Sequence, residues 1–321
     1  MVILVTGGSG LIGKSIQEYV STNLNINDTD FIFLSSKDCD LRNGHDTNKL
    51  FGRYNPDIVI HLAAKVGGLY LNMNSNYEML IDNIKINTNI LEACNKYKVK
   101  RLINILSTCV FPEQNEHNIL TYPLSSSQIL NGRPHDSNSG YAHAKRLLYI
   151  GSKLLCETSN IEVVNLIPTN LYGNHDNYNL ETSHVIPGLI HKLYLAKKEN
   201  SILMVKGDGS SSRQFVHVDD FARIICHFID RELNNKYNSL IISPTKQQEI
   251  TIKRLVNKLA KIFDFNNKIM YDTNYNNGQS LKTTDSNELL EYIPDFKFIT
   301  LEKGLGKTIE YFKNNYHNIR K

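Results

Sequence analysis

Tyr141 and Lys145 stand four residues apart in the segment GYAHAKR, residues 140–146, about one helical turn, so an ammonium can sit beside a phenol on one helix face. A free tyrosine titrates near ~10 and a lysine near ~10.4, so neither moves protons at neutral pH unless a neighbour shifts it. A cation held close stabilises the phenolate, and the pair therefore predicts a lowered phenol pKa and an acid-base site. The same spacing also occurs as an amphipathic stripe with a solvated charge. Ser107 closes an apolar run in LSTC, residues 106–109, and strand C-termini are where open α/β sheets bind ligands. Serine and tyrosine hydroxyls converging on one carbonyl oxygen would polarise it, stabilise an enolate, and later protonate the alkoxide that hydride arrival creates. Taken alone, Ser107 is a plain strand-end serine, Cys109 a core thiol, and His184 in SHVIP a packed or surface histidine. Arg213, in the run SRQFVHVDD, either clamps a diphosphate through two oxygens or pairs at the rim with Asp219 or Asp220.

These groups need a scaffold, and the N-terminus supplies its first part. Val2 to Thr6 is a short apolar, β-branched run that leads into Gly7-Gly8-Ser9-Gly10-Leu11-Ile12-Gly13 and then a helical pattern. Strand, glycine turn and helix in that order describe a dinucleotide site. Gly7 allows the tight turn, Gly10 lets the backbone approach the pyrophosphate, and Gly13 lets helix and strand pack closely. A second strand is expected over 31–34, ending in Ser35-Ser36-Lys37 where an NAD protein usually carries Asp or Glu. Hydroxyls and an ammonium welcome a 2′-phosphate, so NADP(H) is expected, held by Ser36 and Lys37. Further strands are predicted at 57–62, 102–106, 163–167 and 203–206, with helices at 77–97, from 141 to about 157, and at 185–196. Strands recurring between helices predict an α/β fold: a doubly wound parallel Rossmann sheet with a smaller C-terminal α+β substrate lobe. Residues 1–170 and about 214–240 form the first part, and about 171–213 with 241–321 the second. The asparagine-rich stretches 23–27 and 274–277 mark surface turns.

Bulk properties narrow the function. The 321 residues are 41% hydrophobic and 21% charged, enough for a sizeable core. A net charge of +4 with scattered basic residues gives no reason to expect nucleic acid as a partner. Five dispersed cysteines without a CxxC fit reduced thiols, and no metal site is expected. Met1 opens directly into the first strand, with no apolar run of spanning length, so no membrane association and a cytoplasmic location are expected.

Beyond these readings, the chain resembles the extended short-chain dehydrogenase/reductase family. The likeness runs nearly end to end through VTGGSGLIGK, HLAAKVGG, LSTCVFP, NGRPHDSNSGYAHAKR, IPTNLYGNHDNYN, SHVIPGLIHK and GDGSSSRQFVHVDD. Within the family it is most similar to the epimerase/reductases of nucleotide-linked 4-keto-6-deoxy sugars. That resemblance implies NADPH-dependent 3,5-epimerisation and 4-reduction of GDP-4-keto-6-deoxymannose by a homodimer. It implies Ser107, Tyr141 and Lys145 as the reductase set, Cys109 as epimerisation base and His184 as acid. Cofactor contacts would extend over Ser9, Leu11, Ile12, Pro168, Thr169, Asn170, Leu171 and His184, with Lys145 on the nicotinamide ribose. Substrate contacts would fall at Lys192, Arg213 and Lys282. The chain departs from the family pattern at Lys206, which replaces Trp, and at Asn277, which replaces Asp; there is no Trp at all. A reductase or epimerase for another nucleotide-linked 4-keto sugar is the alternative, and a catalytically silent cofactor-binding regulator is the reading from a different class.

Overall fold

The computed structural model describes residues 1–23, 29–114, 120–275 and 277–321. Most of the first asparagine stretch, and Asn276 in the second, lie outside the described residues. In chain order the first half runs β1 (Val2–Thr6), α1 (Leu11–Asn23), β2 (Asp30–Phe33), α2 (Gly44–Tyr54), β3 (Ile58–His61), α3 (Leu69–Asn74), α4 (Asn76–Lys96), β4 (Arg101–Ile105), α5 (Ser139–Thr158) and β5 (Glu162–Pro168). The second half runs β6 (Asn170–Tyr172), α6 (Val185–Lys198), β7 (Leu203–Lys206), β8 (Ser212–Arg213), β9 (Phe215–His217), α7 (Val218–His227) and β10 (Tyr237–Ile242). It ends with β11 (Ile250–Thr251), α8 (Ile252–Phe263), β12 (Ile269–Asp272), α9 (Asn287–Tyr292) and α10 (Leu301–Asn314).

Six strands pair in the order β10-β5-β4-β3-β1-β2, all parallel. β3 and β4 are buried at every residue, which is why their apolar residues show no in-out alternation; the buried Asn104 of β4 is satisfied inside the sheet. The chain leaves β1 for β2 on one side and returns to β3 on the other, so the strand order reverses beside β1. A crevice opens there at the strand C-termini, the place where such sheets bind ligands. Helix α5 is held at a defined depth by polar contacts inside the sheet. Ser152 Oγ donates to Asn165 Oδ1 at 3.3 Å, and Asn165 accepts from Asn104 Nδ2 at 3.0 Å.

The sixth strand, β10, is not legible from its sequence, because YNSLII is apolar only in its second half; it forms by pairing with β5. A separate apolar core joins α6, α8 and α10 around Tyr172, Tyr178, Leu255 and Phe312. Leu289, Tyr292, Phe296 and Phe298 return to the core of the large sheet instead, so this late stretch packs with the Rossmann part although it falls within 241–321. No helix among the described residues is long and apolar enough to cross a membrane.

Candidate active site

The glycine turn is shaped by backbone contact. Gly7 takes φ +69°, and a Cβ there would lie 2.9 Å from the Ala63 amide nitrogen. At Gly13 a Cβ would come within 2.5 Å of Gly8 Cα, so only glycine lets α1 start pressed against the turn. Beneath it runs a buried chain of hydrogen bonds. Thr6 Oγ1 accepts from the Ala63 amide at 3.1 Å and meets His61 Nδ1 at 3.0 Å; His61 Nε2 meets Asn87 Oδ1 at 3.1 Å; Asn87 Nδ2 donates to the Ala144 carbonyl at 3.1 Å. Burial, helped by the Lys145 charge, drives His61 down to about 3 and keeps it neutral. With Nδ2 spent on Ala144, Asn87 Oδ1 must accept, which puts the His61 proton on Nε2 and lets Nδ1 accept from Thr6. The chain ties the glycine turn to the helix that carries Tyr141 and Lys145.

At the far end of the crevice, Ser35, Ser36 and Arg42 line the wall, together with Ser9, Leu11 and Ile12 nearer the turn. Lys37 is exposed and does not line it, whereas Arg42, five residues on, does. Asp38 accepts from the Ser35 amide and hydroxyl, both at 2.7 Å, and Asp40 pairs with Arg42 at 2.8 Å. Both carboxylates are thus engaged, and Arg42 also reaches Asp82 at 3.5 Å. These residues fit a dinucleotide phosphorylated on its ribose: a cradle that a side chain would fill, then hydroxyls and a guanidinium.

Ser107, Cys109, Tyr141, Lys145 and His184 all line one cleft of about 980 Å³. Ser107 caps a single 3₁₀ turn, its Oγ accepting from the Cys109 amide at 3.2 Å, which places hydroxyl and thiol two residues apart on that one turn. Asn138, at the start of α5, donates from Nδ2 to Cys109 Sγ at 2.9 Å. Nothing in the sequence marks Asn138, because its partner is 29 residues away. Lys145 is buried, donates to the Ile105 carbonyl at 2.7 Å, and has its pKa brought down by burial to about 8. Its Nζ lies 5.8 Å from the centroid of the Tyr141 ring. The expectation of a lowered phenol pKa is overturned: burial, with the Cys109 charge second, pushes Tyr141 upward. Desolvation outweighs an ammonium whose proton already points at a carbonyl, and the phenol stays protonated.

His184 is exposed at the N-terminus of α6 and makes no cap hydrogen bond. Beside it in the cleft wall is Asp176, which sequence reasoning passed over inside a polar loop. It is 3% exposed, and burial raises its pKa to about 6 against the pull of His184.

Lys192, Lys206, Arg213 and Lys282 form a cationic end to the same cleft. Burial lowers Lys192, Arg213 and Lys282, with Lys206 adding to the first and Arg213 to the third; the Cys109 charge pulls Arg213 and Lys282 back up. Asp219 is taken by Lys307 at 3.0 Å and Asp220 by Arg223 at 3.1 Å, which removes both as rim partners of Arg213. Lys206 is not the flexible cation that its replacement of Trp suggests. Its Nζ lies 4.5 Å from the Tyr70 ring centroid and 4.6 Å from that of Tyr275, two rings set edge to face at 77°. Aromatic surface is therefore supplied from α3 and from the loop after β12. Asn277 lines the cleft but spends Oδ1 on the Asp208 amide at 3.0 Å. Pro168, Thr169, Asn170 and Leu171 border the cleft between its two ends. No cluster of metal-ligating side chains occurs among the described residues.

A doubly wound sheet with a glycine cradle, a hydroxyl–phenol–ammonium set and a cationic far end defines a dinucleotide-dependent enzyme for phosphate-bearing substrates. The chain belongs to the NAD dependent epimerase/dehydratase family, whose model matches residues 3–240. It is 40% identical over 321 residues to GDP-L-fucose synthase of Dictyostelium discoideum, covering 99% of this chain and 97% of that protein. It is 31% identical to GDP-L-colitose synthase of Yersinia pseudotuberculosis, covering 99% of this chain and 100% of that one. The crystal structure of a GDP-L-fucose synthetase from Naegleria fowleri bound to NADP superimposes with a TM-score of 0.88 at 36% identity, covering 100% of this chain and 95% of that one.

Proposed function

We propose that this protein is a bifunctional epimerase and reductase that converts GDP-4-keto-6-deoxy-D-mannose to GDP-L-fucose with NADPH. The observation that carries the reading is one cleft that holds a thiol and an imidazole beside a Ser–Tyr–Lys set, between a dinucleotide cradle and a cationic end. A 4-ketone acidifies the hydrogens on C3 and C5, and inversion at each needs a base on one face and an acid on the other. Cys109 is the base and His184 the acid. Arg213 and Lys282 stand close enough to Cys109 to respond to charge on it. Ser107 and the protonated Tyr141 donate to the 4-keto oxygen and hold the enolate.

Gly7, Gly10 and Gly13 cradle the dinucleotide phosphates, Arg42 with Ser35 and Ser36 takes the 2′-phosphate, and Lys145 holds the nicotinamide ribose. When bound, NADPH supplies the hydride for C4. Tyr141 gives its proton to the nascent alkoxide, a transfer for which a neutral phenol is the required form. Lys192, Arg213 and Lys282 grip the diphosphate. Residues 171–213 and 241–321, apart from the stretch around 289–298 that packs on the large sheet, serve the sugar nucleotide and the remainder the cofactor.

We further infer a cytoplasmic homodimer formed through α4 and α5. Leu147, Ile150 and Leu154, on successive turns of α5, are 49%, 38% and 54% exposed, an apolar stripe that a second copy would cover. A second reading, another GDP-linked 4-keto sugar, is favoured by the tyrosine-bracketed Lys206 and by the likeness to a colitose synthase. Incubation with NADPH and GDP-4-keto-6-deoxymannose tests both. GDP-L-fucose supports the first; a 4-reduced sugar without inversion, or NADPH oxidation only when another GDP-linked 4-keto sugar is supplied, supports the second; absence of NADPH oxidation with either substrate refutes both.

A further inference from the structure

Two groups in the cleft wall each lack a partner that their chemistry requires. Asp176 is 3% exposed; Oδ1 accepts from the Asn177 amide at 2.7 Å, while Oδ2 is buried without any hydrogen bond. A buried carboxylate oxygen left unpaired is costly, and natural folds keep such groups where function uses them. His184, eight residues on, stands at the first turn of α6 with no side-chain hydrogen bond to that turn. Both line the same cleft, and Asp176 feels the charge of His184 without being bonded to it.

The position of His184 gives the pairing its purpose. An imidazole that is to deliver a proton must carry a positive charge, yet it sits at the positive end of the α6 dipole, which disfavours that charge. A carboxylate close by offsets the dipole and can accept one ring N–H, fixing which nitrogen faces the substrate. The charged and titratable groups that face Asp176 are His184 on α6, Arg320 near the C-terminus and Tyr178 in its own loop. Arg320 also closes the loop from outside, its carbonyl accepting from the Tyr178 amide at 2.8 Å. The loop is thereby held; the Arg320 guanidinium lines the cleft as well, and of the groups that face Asp176 the imidazole is the one that proton delivery to the sugar uses.

We propose that Asp176 is a positioning residue for epimerisation: its free Oδ2 takes the ring N–H of His184 and sustains the imidazolium that protonates C3 and C5. In each inversion Cys109 removes the proton from one face, His184 gives one to the other, and both return to their starting forms by exchange with solvent. This rests on the reading of His184 as the acid, and the test separates the two.

The measurement is solvent-deuterium incorporation at C3 and C5 of GDP-4-keto-6-deoxymannose in D₂O without NADPH, across about pH 5 to 9, alongside NADPH binding by fluorescence quenching. Asp176→Asn is expected to bind NADPH as before, to exchange at least about tenfold more slowly, and to show a shallower fall in exchange below about pH 6, the part caused by protonating Asp176 being gone while the part caused by protonating the base remains. Asp176→Glu, which keeps the charge, is expected to recover part of the rate and that acid limb. Asp176→Asn exchanging at the full rate with an unchanged pH profile overturns the proposal. If that variant does not fold, Asp176→Glu with neither a changed rate nor a shifted acid limb overturns it. His184→Asn with undiminished exchange shows that the assignment of the acid was wrong, and the role of Asp176 falls with it.

Discussion

Lys145 offers a test in which stability and catalysis part company. Its ammonium is 2% exposed and has one hydrogen bond, 2.7 Å to the Ile105 carbonyl, and burial brings its pKa from 10.5 to about 8. A shift of this size means that keeping the charge inside costs about 3 kcal/mol at neutral pH. The sign follows from proton counts. Between the folded and unfolded pKa values the unfolded chain binds more protons, so this group's contribution to stability rises with pH through that window. Lys145→Met removes the charge and its penalty along with a hydrogen bond worth about 1.5 to 3 kcal/mol. The variant is therefore expected to lie between equal stability and about 1.5 kcal/mol more stable than the parent near pH 7, because the lost penalty and the lost hydrogen bond largely offset one another. Between about pH 7.5 and 9.5 the parent should gain about 2 kcal/mol relative to the variant. Other buried lysines are present in both proteins and cancel in the difference. Urea unfolding of the two at matched pH values reads this, and NADPH oxidation in the same samples should fall by at least ~10² in the variant. A stability difference that stays flat from pH 7.5 to 9.5 would mean that the ammonium is not a desolvated charge in the folded protein, and the account of the site would lose its central electrostatic element.

Three further outcomes follow from the geometry. Cys109→Ser should give a 4-reduced but poorly epimerised sugar, with exchange at C3 and C5 down by ~10² to 10⁴, read by NMR of the product; unchanged fucose output refutes the assignment of the base. Arg42→Ala removes the cation that lines the cofactor end in place of Lys37. Because the side chain is half exposed, the Michaelis constant for NADPH should rise only about tenfold, with that for NADH unmoved, in steady-state kinetics. Leu154→Asp places a charge in the exposed apolar stripe of α5; if that stripe is a dimer contact, the variant should elute as a monomer where the parent elutes at twice the mass.

Much of the scaffold was legible because its signals are local. The mostly apolar runs at 2–6 and 102–106 mark strands because a parallel strand covered on both faces is apolar nearly throughout, and the glycine turn follows from backbone sterics alone. The Tyr141–Lys145 spacing similarly needs only a helix. β10 was not legible, because half of it is polar and it is stabilised by β5 rather than by its own propensity.

What the tertiary structure alone decided is the state of each group at the site. Burial reverses the shift expected for Tyr141, since solvent exclusion depends on every element around the cleft and not on the residue one turn away. Fold geometry lines the cleft with Arg42 and leaves Lys37 exposed, since a turn after a strand can aim only some of its side chains inward. Two tyrosines from distant segments hold Lys206, and a polar loop carries Asp176 into the wall with one oxygen unpaired. Residue types and short spacings determine which chemistry is available. Which groups are charged, aimed and desolvated is set by contacts between residues far apart in the chain, and pairwise electrostatics is strong only where those contacts exclude water.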